Sequence, residues 1–192
     1  MSKHLLPFLC ALVACPAFIL LHECGHYVAG SCLGLSPTLH AGEVQPNPAK
    51  EKITQHAEIL FTSGGPLMGA VLAVVGFLWL RRLRVHRREA ASNSCDWLAT
   101  SLVLLNVGRG FQALVGTPSH PRPSDEAFLS RALGLPAYLF PYSFGLLAVI
   151  ALVGTVRLHP PGGRLLPFLS MLLGSVIGAL LWLELVGPFL LP

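Results

Sequence analysis

Several apolar runs of membrane-spanning length constrain this chain more than any other feature. A transmembrane α-helix needs about 20 consecutive apolar residues, within a range of about 17–25. Runs of about that length cover residues 5–30, 59–80, 97–115, 137–156 and 165–185. A helix satisfies its own backbone hydrogen bonds in the hydrocarbon of a bilayer. The sequence therefore predicts an all-α fold, a polytopic transmembrane helical bundle of about five spans.

The composition agrees with a membrane environment. Hydrophobic residues make up 53% of the chain and charged residues only 11%, whereas about 25% of an average soluble domain is charged. The length of 192 residues allows one domain of a few helices, so we expect a single membrane-embedded domain over residues 1–192. We predict a multi-pass integral protein of the lipid bilayer, in the plasma membrane or, if the source is bacterial, the inner membrane.

A basic block directly follows the second apolar run and consists of Arg81, Arg82, Arg84, Arg87 and Arg88. Such a block can bind nucleic acid, but beside a membrane span it favours a topological or lipid-facing role. We therefore expect no nucleic-acid partner. With five spans, eight Lys and Arg residues lie on the side of the N-terminus and four on the other. This asymmetry predicts a cytoplasmic N-terminus.

A His-Glu-x-x-His motif, His22-Glu23-Cys24-Gly25-His26, lies in the last third of the first apolar run. Positions i and i+4 share one face of a helix, so the two imidazoles can reach one ion at about 2.0–2.1 Å. The adjacent Glu23 can take a proton from a water as general base. Ionisable groups within a span cost a few kcal/mol unless paired or metal-bound, which indicates function. The alternative is a pair of helix-packing histidines with Glu23 as their partner.

A second motif, Gly64-Gly65-Pro66, opens the second apolar run. Gly permits close backbone approach and Pro removes a backbone donor. Non-helical backbone at membrane depth occurs where it is buried in protein or lines a wet cavity, so one interpretation is a helix break beside a metal cavity. The other is a helix that begins at Pro66 after two permissive glycines. The sequence supports the two equally.

Together the segments Leu21–Tyr27 and Thr62–Leu67 resemble the site-2 protease type of intramembrane zinc metalloproteases. The resemblance covers about the first three spans, so a catalytic core would occupy about residues 1–136, with extra spans in residues 137–192. It implies hydrolysis of peptide bonds in membrane-protein or peptide substrates, within or at the edge of the bilayer. It also implies zinc ligation by His22 and His26, with Glu23 as catalytic base.

The resemblance leaves two questions open, the membrane orientation and substrate delivery. In the family the metal lies nearer the cytoplasmic face, whereas the Lys and Arg count places the His motif toward the external face. The two inferences disagree, and the sequence does not decide between them. No recognition module is visible between the spans, so a membrane partner that delivers the substrate is a further expectation.

The family's third metal ligand is an Asp from a later segment, usually in an Asn-x-x-Pro…Asp-Gly context. This chain has two aspartates, Asp96 and Asp125. The segment Pro123-Ser124-Asp125-Glu126 resembles a relaxed form, with Glu126 where Gly is usual, so we predict Asp125 as the third zinc ligand. Two histidines are the substitutes: His120, then His56. The competing interpretation makes Asp125 the N-cap of a short helix that starts near Glu126.

Charged and polar residues elsewhere give weaker signals. Arg109 and Glu184 lie within predicted spans, and we predict that they pair with each other or reach water-accessible ends. A further option is that Arg109 orients a substrate carbonyl. His159 is expected to be a solvated loop residue.

The preferred hypothesis is a zinc metalloendopeptidase, which is a hydrolase. The alternative is a catalytically inactive membrane protein that retains a metal-binding or scaffolding role. A metal transporter is disfavoured because it would need polar residues along several spans, and these runs are uniformly apolar.

Overall fold

The computed structural model describes residues 4–49, 52–86, 93–116, 124–159 and 165–191. Its elements are α1 (Leu5–Cys32), β1 (Thr38–Leu39), β2 (Val44–Gln45), α2 (Gln55–His86), α3 (Ser94–Gly116), α4 (Asp125–Ala132), α5 (Leu139–Leu158) and α6 (Leu165–Leu180). After α6 the helix continues through a π-helical segment, Leu181–Val186, into a last turn, Gly187–Leu190. Apart from one two-residue strand pair, the described fold is helical, and the all-α prediction is confirmed.

Four helical segments within the described residues are long and apolar enough to cross a membrane: Leu5–Cys32, Gln55–Val85, Leu139–Leu158 and Leu165–Leu190. They match four of the predicted spans and confirm a multi-pass membrane protein. The remaining predicted span is also a helix, α3, with 23 residues. Polar residues such as Asp96, Asn106 and Arg109 interrupt its apolar surface, and α3 does not belong to the four apolar segments. That α3 crosses the bilayer therefore stays a prediction.

The bundle is built around α1, which packs against α2, α3 and α6. α3 in turn packs against α2 and α5, and the short α4 lies against α2 and α5. Helices α5 and α6 carry exposed apolar side chains around much of their circumference, with Leu146 and Leu147 each 62% exposed. A helix that is apolar on its exposed face needs an apolar surrounding. The outer surface therefore suits contact with lipid chains.

A short antiparallel hairpin follows α1 and lies between the first two apolar runs. Its register pairs Thr38 with Gln45 and Leu39 with Val44. At the turn, the indole Nε1–H of Trp182 donates to the carbonyl oxygen of Ala41 at 2.7 Å. This bond ties the hairpin to the π-helical segment that follows α6.

Helix α2 begins at Gln55 and runs without a break through Gly64-Gly65-Pro66. Both interpretations of this motif, a helix break and a helix start at Pro66, are therefore wrong. A proline inside a helix removes one hydrogen bond. Transmembrane helices tolerate this loss because neighbouring helices and local adjustments satisfy the freed backbone groups. Here α2 packs closely on α1 at this point.

A buried polar cluster joins the C-terminal ends of α2 and α5 to the N-terminal end of α3. Arg84 Nη2 lies 3.4 Å from Asp96 Oδ2 and 3.3 Å from His159 Nδ1. The Thr100 hydroxyl donates to the Asp96 carbonyl oxygen at 2.7 Å, so Thr100 Oγ1 accepts from His159 Nε2 at 2.8 Å. The Trp97 ring stacks on His159 at a centroid distance of 4.6 Å. The prediction of a solvated His159 is wrong because these partners enclose its imidazole.

Replacing Asp96 with Ala should destabilise the folded protein by about 3–5 kcal/mol, the usual cost of removing one partner of a buried ion pair. The Arg84 and Asp96 side chains are only 10% and 2% exposed. The measurement is thermal unfolding in detergent, with the exposed Glu184→Ala as control; exposed substitutions usually change stability by about 0.5 kcal/mol or less. Equal unfolding temperatures for the two variants would contradict a stabilising role for this ion pair.

Candidate metal centre

Two histidines of α1 and one aspartate of α4 come together inside the bundle. Asp125 Oδ2 lies 3.3 Å from His22 Nε2 and 3.3 Å from His26 Nε2. The three ligand atoms all lie within 4.8 Å of one another, and together they could hold a metal ion. Both histidines are buried, and the Asp125 side chain is 25% exposed. The structure thus brings the three predicted ligands into one group.

The spacing of these atoms suits a tetrahedral ion. Two ligands bound at about 2.0–2.1 Å to a tetrahedral zinc lie about 3.3–3.4 Å apart. The two His–Asp separations agree with that value. Two imidazole nitrogens and one carboxylate oxygen also form a donor set typical of catalytic zinc. The residues present therefore fit a zinc ion.

A backbone carbonyl of α2 fixes the orientation of His26. His26 Nδ1–H donates to the carbonyl oxygen of Phe61 at 3.0 Å, and the Phe61 ring lies 5.6 Å from the imidazole. A proton on Nδ1 leaves the lone pair of Nε2 free on the side of Asp125. Metal-binding histidines usually donate their second ring nitrogen in this way. The contact explains how α2 holds one ligand in place.

His22 also lines a small cavity. His22 Nδ1 is buried and has no hydrogen-bond partner within the part of the chain that the structure describes. The cavity, about 10 Å³, is lined by His22, Gly69, Asn106, Arg109 and Glu126 together with Pro66, Gly110 and Phe144. Its size matches a single water. Asn106 and Arg109 of α3 and Glu126 of α4 supply the polar part of its lining.

The glycines of the second motif let α2 approach the histidines. A Cβ built on Gly65 would lie 2.5 Å from His22 Nε2 and closer still to His26 Nε2. A Cβ on Gly25 or Gly64 would collide with the other residue's carbonyl group. Only glycine permits backbones to come this close. The motif therefore provides close helix packing beside His22 and His26 instead of a helix break.

The competing interpretation of Asp125 as a helix N-cap is wrong. Ser124 is the N-cap of α4, and its Oγ accepts from the backbone N–H of Ala127 at 3.3 Å. Asp125 is the first residue of that helix. Burial raises the pKa of the Asp125 carboxyl, but the neighbouring His22 and His26 side chains and the Arg109 charge outweigh it and hold the pKa below its usual range. Asp125 is therefore a carboxylate, the form that binds metal.

Of the two substitute histidines, His56 does not join the group. His56 is exposed in the first turn of α2 and is not part of the His-His-Asp cluster. His120 lies outside the described residues. Asp125 is therefore the predicted third ligand that the fold places beside the histidine pair.

Arg109 takes partners that the sequence did not predict. Its Nη2 donates to Asp125 Oδ2, and its Nε lies 3.8 Å from Glu126 Oε1. The predicted pair of Arg109 with Glu184 is wrong, since Glu184 lies exposed in the π-helical segment after α6. Two carboxylates on consecutive residues of α4 are therefore the partners of Arg109.

Glu23 is buried beside the two histidines, with 7% of the residue exposed. The charges that act on its carboxyl come from His26, Asp125, Arg109 and Glu43. It therefore shares its electrostatic environment with the metal-ligand group.

Two contributors to the site could not be assigned to it from the sequence. The Phe61 carbonyl is a backbone group, and any residue at that position supplies one. Gly65 was visible as part of a motif, but its approach to the histidine Nε2 atoms follows only from how α2 packs on α1. A glycine in an otherwise apolar helix is the one hint that could have indicated a close contact.

No family model matches the sequence, no curated protein matches it, and no solved structure matches the fold. The fold and the site together define a multi-span, all-α membrane protein with a buried His-His-Asp group that could hold a metal ion.

Proposed function

We propose that the chain is an intramembrane zinc metalloendopeptidase that hydrolyses peptide bonds of membrane-protein or peptide substrates, within or at the edge of the bilayer. The observation that carries the proposal is the arrangement of His22, His26 and Asp125 at tetrahedral ligand spacing, with Glu23 buried beside them. Three protein ligands leave a fourth position open, as in catalytic zinc sites. Structural zinc sites instead use four protein ligands.

The residues of the site have separate roles in this proposal. His22, His26 and Asp125 hold the zinc, which supplies Lewis acidity toward a peptide carbonyl and a nucleophilic water. The Glu23 carboxylate accepts a proton from the attacking water and delivers it to the leaving amine nitrogen. Phe61 and Gly65 act indirectly, since the first orients His26 and the second keeps space in front of both imidazoles.

The placement of the ligands supports a membrane-protein substrate. His22 and His26 belong to α1, one of the four membrane-spanning candidates. A peptide bond that reaches them must come from a segment inside the bilayer or at its surface. A transmembrane segment has helical backbone bonds that must open before cleavage. We therefore expect the preferred substrates to contain helix-weakening residues near the cleaved bond.

A second candidate function is a metal-binding or scaffolding membrane protein without activity. The contact of Arg109 with Asp125 Oδ2 favours it, because this pair also links α3 to α4. The two candidates differ in what they require of Glu23. Only the peptidase needs that carboxylate for turnover.

The test of the metal site is zinc stoichiometry in detergent. We expect the wild-type protein to bind about one zinc per chain, and Asp125→Ala to bind it at least about 100-fold more weakly, since even outer-shell changes cost about 10–100-fold. Equilibrium dialysis followed by elemental analysis measures both. His56→Ala is the control and should retain wild-type affinity, because His56 is exposed and outside the group.

The test of the reaction uses a defined transmembrane substrate and a chelator. Cleavage should stop when zinc is removed and return when zinc is added back. Stoichiometric zinc in Asp125→Ala would remove Asp125 from the ligand set. Cleavage that persists in the chelated protein would contradict a zinc peptidase.

A further inference from the structure

Two charged residues, Arg109 and Glu126, lie next to the Asp125 carboxylate. Arg109 of α3 donates from Nη2 to Asp125 Oδ2, the same oxygen that faces His22 and His26. The Arg109 Nε lies 3.8 Å from Glu126 Oε1. Arg109 thus lies between the carboxylates of two consecutive residues.

The burial of Glu126 indicates that this arrangement is more than a surface ion pair. The Glu126 side chain is 3% exposed, against 29% for Arg109. Glu126 Oε2 is buried without a hydrogen-bond partner among the residues that the structure describes, and it lies at the small cavity beside His22. A buried carboxylate is costly unless a cation compensates it. Arg109 is the cation that lies next to it.

The charges of the three residues suit a divalent ion. An arginine alone beside Asp125 would cancel the negative charge that attracts a metal. Glu126 offsets the positive charge of Arg109, so the trio keeps one net negative charge beside the two histidines. The guanidinium can meanwhile hold the Asp125 carboxylate in one orientation through its fixed donor geometry.

We infer that Arg109 and Glu126 form a clamp that positions the Asp125 carboxylate toward His22 and His26 for zinc binding. This inference rests on the zinc site of the proposed function but does not depend on proteolysis. Arg109 is a positioning residue in it and acts through Asp125. The groups that position a metal ligand typically contribute about 10–100-fold to metal affinity.

The clamp predicts a graded series of zinc affinities, measured by competition with a zinc-binding dye in detergent. Arg109→Gln should weaken zinc binding by about 10–100-fold. Arg109→Lys keeps the charge but loses the planar fork, so its affinity should lie between wild type and Arg109→Gln. Glu126→Gln should also weaken binding, because it leaves the Arg109 charge uncompensated. Arg131→Gln removes an exposed arginine from the same helix α4 and should bind zinc like wild type.

A double substitution separates positioning from a general structural effect. In an Asp125→Asn background, Arg109→Gln should change zinc affinity by less than about 3-fold, because residues that act as one unit are not additive. Arg109→Gln with wild-type zinc affinity and a lower unfolding temperature would show a structural ion pair and overturn the clamp. Tighter zinc binding would overturn it too, since Arg109 would then compete with the metal. If Arg109→Gln does not fold, Glu126→Gln and Arg109→Lys allow the same comparison of zinc affinity with unfolding temperature.

The readout distinguishes this inference from the peptidase proposal. Zinc affinity tests the clamp, whereas cleavage of a substrate tests the peptidase. The clamp would be supported and the peptidase contradicted if the wild-type protein bound zinc but cleaved no substrate, and if Arg109→Gln lowered the zinc affinity.

Discussion

Glu23→Gln is expected to bind about one zinc per chain and to cleave a transmembrane substrate about 10²–10⁴-fold more slowly than wild type. A positioned general acid–base contributes rate enhancement of that order. The substitution keeps the size of the side chain, and Glu23 is not one of the three grouped ligands. Zinc stoichiometry by elemental analysis and cleavage rates by gel or mass spectrometry provide the two measurements.

The matched control for this prediction is Glu184→Gln. Glu184 also belongs to an apolar, membrane-spanning segment, but it is exposed and lies after α6, apart from the histidine group. It should cleave at the wild-type rate. Equal cleavage by Glu23→Gln and wild type would end the peptidase proposal, and the metal-binding or scaffolding role would then explain the site.

Gly65→Ala is expected to reduce zinc affinity at least about 100-fold, more than a typical outer-shell change, while the helices remain folded. The new Cβ would lie 2.5 Å from His22 Nε2 and even closer to His26 Nε2. Those atoms face Asp125, so the methyl group would enter the space that a metal needs. Because α2 is α-helical at this position, alanine itself is compatible with the backbone. Zinc titration and far-UV circular dichroism test the two parts of this prediction.

Gly108→Ala is the control for the glycine experiment. Gly108 lies in α3, and a Cβ there would meet nothing within 4 Å. Replacing a glycine inside a helix with alanine usually stabilises by about 0.5–1 kcal/mol. We expect wild-type zinc affinity for this variant. Wild-type affinity in Gly65→Ala as well would mean that the two histidine Nε2 atoms do not face the metal.

The apolar runs predicted the described fold well because helix length in a membrane is set by the bilayer and not by tertiary contacts. Four of the predicted spans appear as apolar helices that could cross a membrane. The boundaries were less accurate at α2, which begins at Gln55, ahead of its apolar run. Polar residues such as Glu58 can extend a helix beyond the hydrocarbon, and the hydrophobic pattern gives no signal for them.

Local spacing predicted part of the candidate site. Two histidines four residues apart share a helix face whatever the rest of the chain does. Asp125 required more than spacing, since it was proposed from a resemblance and lies 103 residues beyond His22. The interpretation of Asp125 as the N-cap of α4 was reasonable from the sequence. It was wrong because Ser124, one residue earlier, is the N-cap.

The sequence by itself determined the membrane class, the helical fold and the pairing of His22 with His26, because hydrophobic length and helical periodicity are local properties. Tertiary structure alone decided that Asp125 faces both imidazoles, that the Phe61 carbonyl orients His26, and that Gly65 lies against both Nε2 atoms. It also decided that Arg109 pairs with Asp125 and Glu126. These contacts join residues far apart in the chain, and only the packing of α1, α2, α3 and α4 fixes which of them meet.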